Sequence, residues 1–181
     1  MLKYLCAAAK ARLLVLLSTI ALASCAGVPD NLTPVSPFDA QRYLGKWYEI
    51  ARLDHRFERN LQDVTATYSL NDDGTIKVIN RGFNTKKQTW SEAQGKAKFA
   101  EDRNTGYLKV SFFGPFYGSY VVVELADDYS YSMVTGPDRD YLWILSRTPT
   151  MDESTFKALL TKAQQWGFET SALINVEHAA R

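Results

Sequence analysis

Residues 107–125 read YLKVSFFGPFYGSYVVVEL. Two β-rich runs, YLKVSFF (107–113) and SYVVVEL (119–125), flank Gly114-Pro115, a dipeptide that marks a turn. In the first run Lys109 sits between Leu108 and Val110, and Phe112 continues the apolar side. A charge on one parity and apolar residues on the other describe a strand with one wet face. The turn raises a question of its own. Surface turns are usually polar, yet Phe112, Phe113, Phe116 and Tyr117 crowd this one with no charge among them.

The same grammar repeats outward in both directions. Upstream lie KWYEIAR (46–52), VTATYSL (64–70), TIKVINRGF (75–83) and EAQGKAKFA (92–100); downstream lie YSYSMVT (129–135) and DYLWILSR (140–147). Turn residues separate them and no long helical pattern intervenes, which argues against parallel βαβ units. Eight sequential antiparallel strands predict an all-β, up-and-down barrel, which removes exposed edges; an open two-sheet sandwich is the alternative. One C-terminal helix is expected outside the barrel. Thr150 or Asp152 caps it, Phe156, Leu159, Leu160, Ala163 and Trp166 recur at helical spacing, and Gly167 ends it.

Charged positions such as Lys77, Arg81, Lys96, Lys98 and Lys109 should face water. The inward set is then Val78, Asn80, Ala97, Phe99, Leu108, Val110 and Phe112, with one polar residue and no charge. Runs 119–125 and 140–147 are apolar on both faces, so one face of each is expected under the helix. Connections alternate between barrel ends. The long ones, 53–63 and 84–91, suggest a mouth, and the tight turn at 71–74 suggests a floor. The aromatic turn falls on the mouth, placing Phe113, Phe116 and Tyr117 on its rim. Arg56, Arg59, Lys86, Lys87 and Arg139 fall in mouth connections, where they either meet a phosphate or carboxylate or form an ordinary solvated face. At the floor, the Arg147 guanidinium is placed to cover Trp47.

The start of the chain is separate. Residues 1–24 combine Lys3, Lys10 and Arg12 with a short apolar run, LLVLLSTIALA, the pattern of an export signal and too short to span a bilayer. Leu22-Ala23-Ser24-Cys25 resembles the bacterial lipobox, in which the cysteine is acylated and becomes the first residue; an unmodified cysteine is the alternative. Residues 25–37, with Pro29, Pro34 and Pro37, read as an extended tether reaching roughly 40 Å. Removing the signal takes three basic residues and no acidic one, turning the chain's +1 into −2. No basic face indicates nucleic acid. Cys6 leaves with the signal and Cys25 is lipidated, so no free thiol or disulfide remains. Asp54-His55 and the lone His178 make neither a metal site nor a catalytic set, and no cofactor is expected.

Gly45-x-Trp47, Asp128-Tyr129 and Arg147 resemble the three signatures of the lipocalin family, with Asp127 in place of a threonine. The strings LGKWYEIARLDHRFER, VSFFGPFYG and GPDRDYLWILSRTP are similar to the family's bacterial outer-membrane lipoproteins, related to apolipoprotein D. The resemblance covers residues 38–176 and leaves 177–181 as a tail. It gives the signature residues a structural role. It implies a non-enzymatic carrier or store of fatty acids, phospholipids or lysophospholipids, held by its lipid to the outer membrane and facing the periplasm. An isomerase-type lipocalin would need a thiol, and haem carriage an inward histidine. The alternative is an interaction module whose aromatic rim pairs two copies as a homodimer or contacts another envelope protein.

Overall fold

The computed structural model describes residues 27–179; the expected export signal and Cys25 lie outside these residues. A short helix α1 (Ala40–Tyr43) leads into strands β1 (Gly45–Arg52), β2 (Leu61–Leu70), β3 (Ile76–Asn84), β4 (Thr89–Phe99), β5 (Tyr107–Phe113), β6 (Phe116–Leu125), β7 (Tyr131–Thr135) and β8 (Leu142–Ser146). Helix α2 (Glu153–Gln165) and a two-residue strand β9 (Ile174–Asn175) follow. Each of β1 to β7 pairs antiparallel with the next strand, and β8 pairs back with β1. The result is a closed eight-stranded barrel, with β9 added beside β1. All eight expected strands are present, with ends shifted by a few residues.

Two apolar layers follow from the alternation. Val78, Ala97, Leu108, Val122, Val134 and Leu145 form the inner one. Val121, Val123, Leu142 and Ile144 point outward and pack under Leu159 and Ala163 of α2. β6 and β8 read as apolar on both faces because each is buried on both. Asp152 caps α2 by accepting a hydrogen bond from Thr155 N at 3.0 Å.

Two expectations about connections need correction. The β3–β4 connection is a four-residue turn, residues 85–88, because β3 and β4 pair fully from Ile76–Ala97 to Asn84–Thr89. Its polar residues belong to a hairpin projecting into water, where neither face is buried and alternation is lost. Residues 27–37 are also not a free tether. Leu32 is buried in the outer layer, Val35 N donates to Val122 O, and Gly106 N donates to Val35 O. Proline spacing suggested a linker, but Val28, Leu32 and Val35 strap the segment to the wall.

The floor is closed by one cation. The Arg147 guanidinium lies 3.8 Å from the Trp47 ring and donates to Lys46 O at 3.0 Å, Arg42 O at 2.6 Å and Tyr129 O at 3.3 Å. Gly45 (φ +93°) passes directly beneath it. Tyr129 (φ +63°) turns the β6–β7 corner, Asp128 Oδ1 accepts from Ser130 N, and the Tyr129 hydroxyl accepts from Asp39 N. Arg147→Ala removes three hydrogen bonds of ~1 kcal/mol each and a cation–π contact of ~0.5–2 kcal/mol, so unfolding free energy should fall by about 3–5 kcal/mol. Arg147→Lys should recover less than half, since an ammonium lacks the planar fork. Denaturant unfolding measures both.

Candidate functional site

The barrel encloses a cavity of about 820 Å³ whose lining reaches Phe57 and Glu58 of the β1–β2 connection, Phe113 and Phe116 at the β5–β6 turn, and Gly136, Pro137 and Tyr141 of the β7–β8 connection. Six of the seven inward candidates line it: Val78, Asn80, Ala97, Leu108, Val110 and Phe112. The seventh, Phe99, packs against the inner layer nearer the floor, with Arg103 over its ring at 5.5 Å. Phe112 lies against the backbone of Gly95; a Cβ there would sit 2.9 Å from the ring. The rim holds Phe113 and Phe116, 83% and 78% exposed, and Tyr117, half-buried under Lys98 at 4.5 Å. The aromatic turn of the opening sequence thus lines and overhangs the entrance.

The cavity is not free of charge, as the alternation had suggested. β1 carries a bulge at Ile50: Glu49 stands opposite Leu145, Ala51 opposite Ile144 and Arg52 opposite Trp143. The extra residue returns Arg52 to the same face as Glu49. Arg52 Nη1 bonds Glu49 Oε1 at 2.7 Å, and Nη2 donates to Glu58 O at 2.9 Å and Leu61 O at 3.1 Å. Glu58 Oε2 accepts from Trp143 Nε1 at 3.0 Å. Glu49, Arg52 and Glu58 are all buried, and both glutamates line the cavity. Burial, followed by the neighbouring Glu58, holds the Glu49 carboxyl well above the ordinary carboxylate range; burial also raises Glu58. Two carboxyls and one guanidinium form a nearly neutral cluster when they share a proton.

Nearer the floor, Tyr43, Tyr68 and Tyr120 join through their hydroxyls: Tyr43–Tyr120 at 2.8 Å and Tyr68–Tyr120 at 3.0 Å. Burial pushes Tyr43 up to about 12 and raises the other two. Their hydroxyls stay protonated, and all three residues line the cavity.

The five mouth cations divide. Arg56, Lys86 and Lys87 are exposed, and Asn84 Oδ1 fixes the turn by accepting from Lys86 N and Lys87 N. Arg59 is engaged by Asp54 at 2.5 Å. Arg139 turns away from the opening: Nε donates to Trp166 O at 2.5 Å and Nη2 to Asp30 O at 2.6 Å. His55 is not a solvated loop residue. It is 5% exposed and stacked on Phe57, Tyr141 and Trp143, and burial followed by Arg52 lowers its pKa to about 4, keeping it neutral. His178 bonds Glu49 O at 2.8 Å and meets Tyr48 edge-on.

A family profile described as the lipocalin-like domain matches residues 38–178. The chain is a lipocalin. Outer membrane lipoprotein Blc of Citrobacter freundii is 57% identical to it over 149 residues, covering 82% of this chain and 84% of that protein. Outer membrane lipoprotein Blc of Vibrio cholerae is 52% identical over 163 residues, covering 90% and 95%. Among solved structures, insecticyanin of the tobacco hornworm Manduca sexta superposes with a TM-score of 0.68 at 20% identity, covering 85% of this lipocalin and 88% of that chain, a likeness of fold.

The raised carboxyl gives a pH test. A carboxyl whose folded pKa lies above its unfolded value contributes stability below the unfolded value, and that contribution is lost as pH rises through the folded value. Glu49→Gln, which imitates the protonated form, should therefore gain in melting temperature relative to the parent between pH 5 and pH 8. A constant difference across that range would contradict a protonated Glu49.

Proposed function

We propose that this lipocalin binds one amphiphile, a fatty acid or a (lyso)phospholipid, for storage or transport in envelope maintenance, and that Cys25 carries the lipid that holds it to the outer membrane, facing the periplasm. The single observation that carries the reading is the cavity: about 820 Å³, walled by Val78, Ala97, Leu108, Val110 and Phe112, and open at one end. Burying ~12 methylenes at ~0.8 kcal/mol each gives roughly 10 kcal/mol before association costs, which leaves micromolar to sub-micromolar affinity. A carboxylate head would be repelled by the ionised member of the Glu49–Glu58 pair. An anionic ligand should therefore lie tail inward, with its head near Arg56, Lys86 and Lys87. The names of the Blc relatives support the lipoprotein assignment. Binding, not catalysis, is the role the cavity suits.

The exposed Phe113 and Phe116 support a second reading, an interaction module in which the rim pairs two copies or meets another envelope protein. Titration of delipidated protein with an environment-sensitive fatty acid separates the two. A carrier shows one saturable site, and Ala97→Trp, which fills the cavity wall, should weaken it about tenfold or more while the fold is retained. An interaction module shows concentration-dependent assembly and no such site. Replacing Lys86 and Lys87 together by Ser should weaken lysophospholipid binding several-fold and leave a neutral monoglyceride unaffected; equal effects on both would remove the mouth cations from the head-group role.

A further inference from the structure

The described chain begins at the mouth. Gly27 N donates to Ser119 Oγ on β6 at 2.8 Å, and Asp30 O accepts from Arg139 in the β7–β8 connection at 2.6 Å. From there the segment runs down the wall. Val35 bridges Val122 and Gly106, Phe38 N donates to Asn104 O beside the β4–β5 turn, and α1 then closes the floor. Cys25 precedes Gly27 by two residues in the sequence, and two residues of chain span at most about 7 Å. Ser119 stands three residues from Phe116 at the strand end, about 10 Å along β6. An acyl group on Cys25 therefore starts near the same end of the barrel as the aromatic turn, and the strapped segment leaves no long leash to carry the domain away.

That end has the chemistry of a lipid-facing surface. Phe113 and Phe116 project from the β5–β6 turn, and Phe57, 66% exposed, projects from the β1–β2 connection. Arg56 adjoins Phe57, and Lys86 and Lys87 tip the third mouth connection. Apolar rings with flanking cations match an interface between acyl chains and anionic head groups. At the floor, beside the polar turn at 71–74, the exposed large apolar residue is the single aliphatic Leu70, at 46%, in place of a cluster of rings.

We propose that the domain docks mouth-down on the membrane that holds Cys25, with Phe113 and Phe116 entering the hydrocarbon, so that the cavity opens onto the lipid surface. This rests on acylation of Cys25, part of the function proposed above. Docking lets an acyl chain pass between leaflet and cavity with little exposure to water.

The test uses the full-length lipidated protein in phosphatidylethanolamine–phosphatidylglycerol vesicles. The lipidated Cys25 leaves no free thiol in the mature chain, so Phe116→Cys and Leu70→Cys each accept one environment-sensitive dye, at the mouth and beside the floor turn. Docking predicts a blue-shifted dye at 116, quenched by nitroxides on lipid acyl chains, and an aqueous dye at 70, quenched by iodide. Lipid quenching at 70 but not 116 overturns the orientation. A dye at 116 shielded from both quenchers means that a second copy covers the rim and also overturns it. If the wild type fails to attach to vesicles, the anchoring reading falls and the docking with it. In unacylated Cys25→Ser protein, Phe113→Ser with Phe116→Ser should lower vesicle partitioning at least tenfold, because each ring's transfer from water is worth about that factor or more. Unchanged partitioning sinks the insertion.

Discussion

Strand β1 carries two ladders at once, Gly45–Tyr48 on β2 and Tyr48–Arg52 on β8. The sheet can close only if this strand is hydrogen-bonded on both sides, and only closure creates an interior. The bulge at Ile50 allows the strand to bend between its partners. Residues before it keep Trp47 and Glu49 inside, and the shifted register after it also brings Arg52 inside. Closure of the wall and placement of the buried charges therefore have the same local origin.

The two ends of the barrel are built differently. The floor is dense and directional: one guanidinium binds three backbone carbonyls and covers an indole, while α1 lies beneath. The mouth has exposed rings and three cations without such ties. Between them the interior is graded, from the tyrosine hydroxyls through the aliphatic wall to the Glu49–Arg52–Glu58 cluster. Arg52 also fixes the β1–β2 connection through Glu58 O and Leu61 O, and Trp143 holds the Glu58 carboxylate. The buried charges thus shape a loop that borders the entrance, a structural reason for their presence in a greasy cavity.

The fold was legible where one face of a strand meets water and the other does not. Lysines at 77, 96, 98 and 109 oppose apolar neighbours, and those neighbours do line the interior or its lower wall. Legibility failed where that contrast vanished. The hairpin at 84–91 is wet on both faces, so its pairing left no trace in the pattern. In KWYEIAR the bulge breaks the period of two, and no residue type announced it, so Glu49 and Arg52 were missed. The segment 27–37 misled through its prolines; the available signal was the recurrence of Val28, Leu32 and Val35, whose contacts are non-local. The surroundings of His55 and Arg139 were not legible because their partners, Tyr141 and Trp143 for one and Trp166 for the other, lie far along the chain.

The ladder between β4 and β5 spans only Lys96–Phe99 against Leu108–Ser111, whereas β3 and β4 pair as far as Asn84–Thr89. Above Lys96 the wall is therefore a seam, filled by the Phe112 ring lying on Gly95 and not by backbone bonds. Parting that seam disrupts a packing contact and no ladder bond, while the lower girth stays fixed by continuous pairing. The lower girth of the barrel is thus set by backbone pairing, whereas on this side its upper calibre is set by how one aromatic ring packs on one glycine.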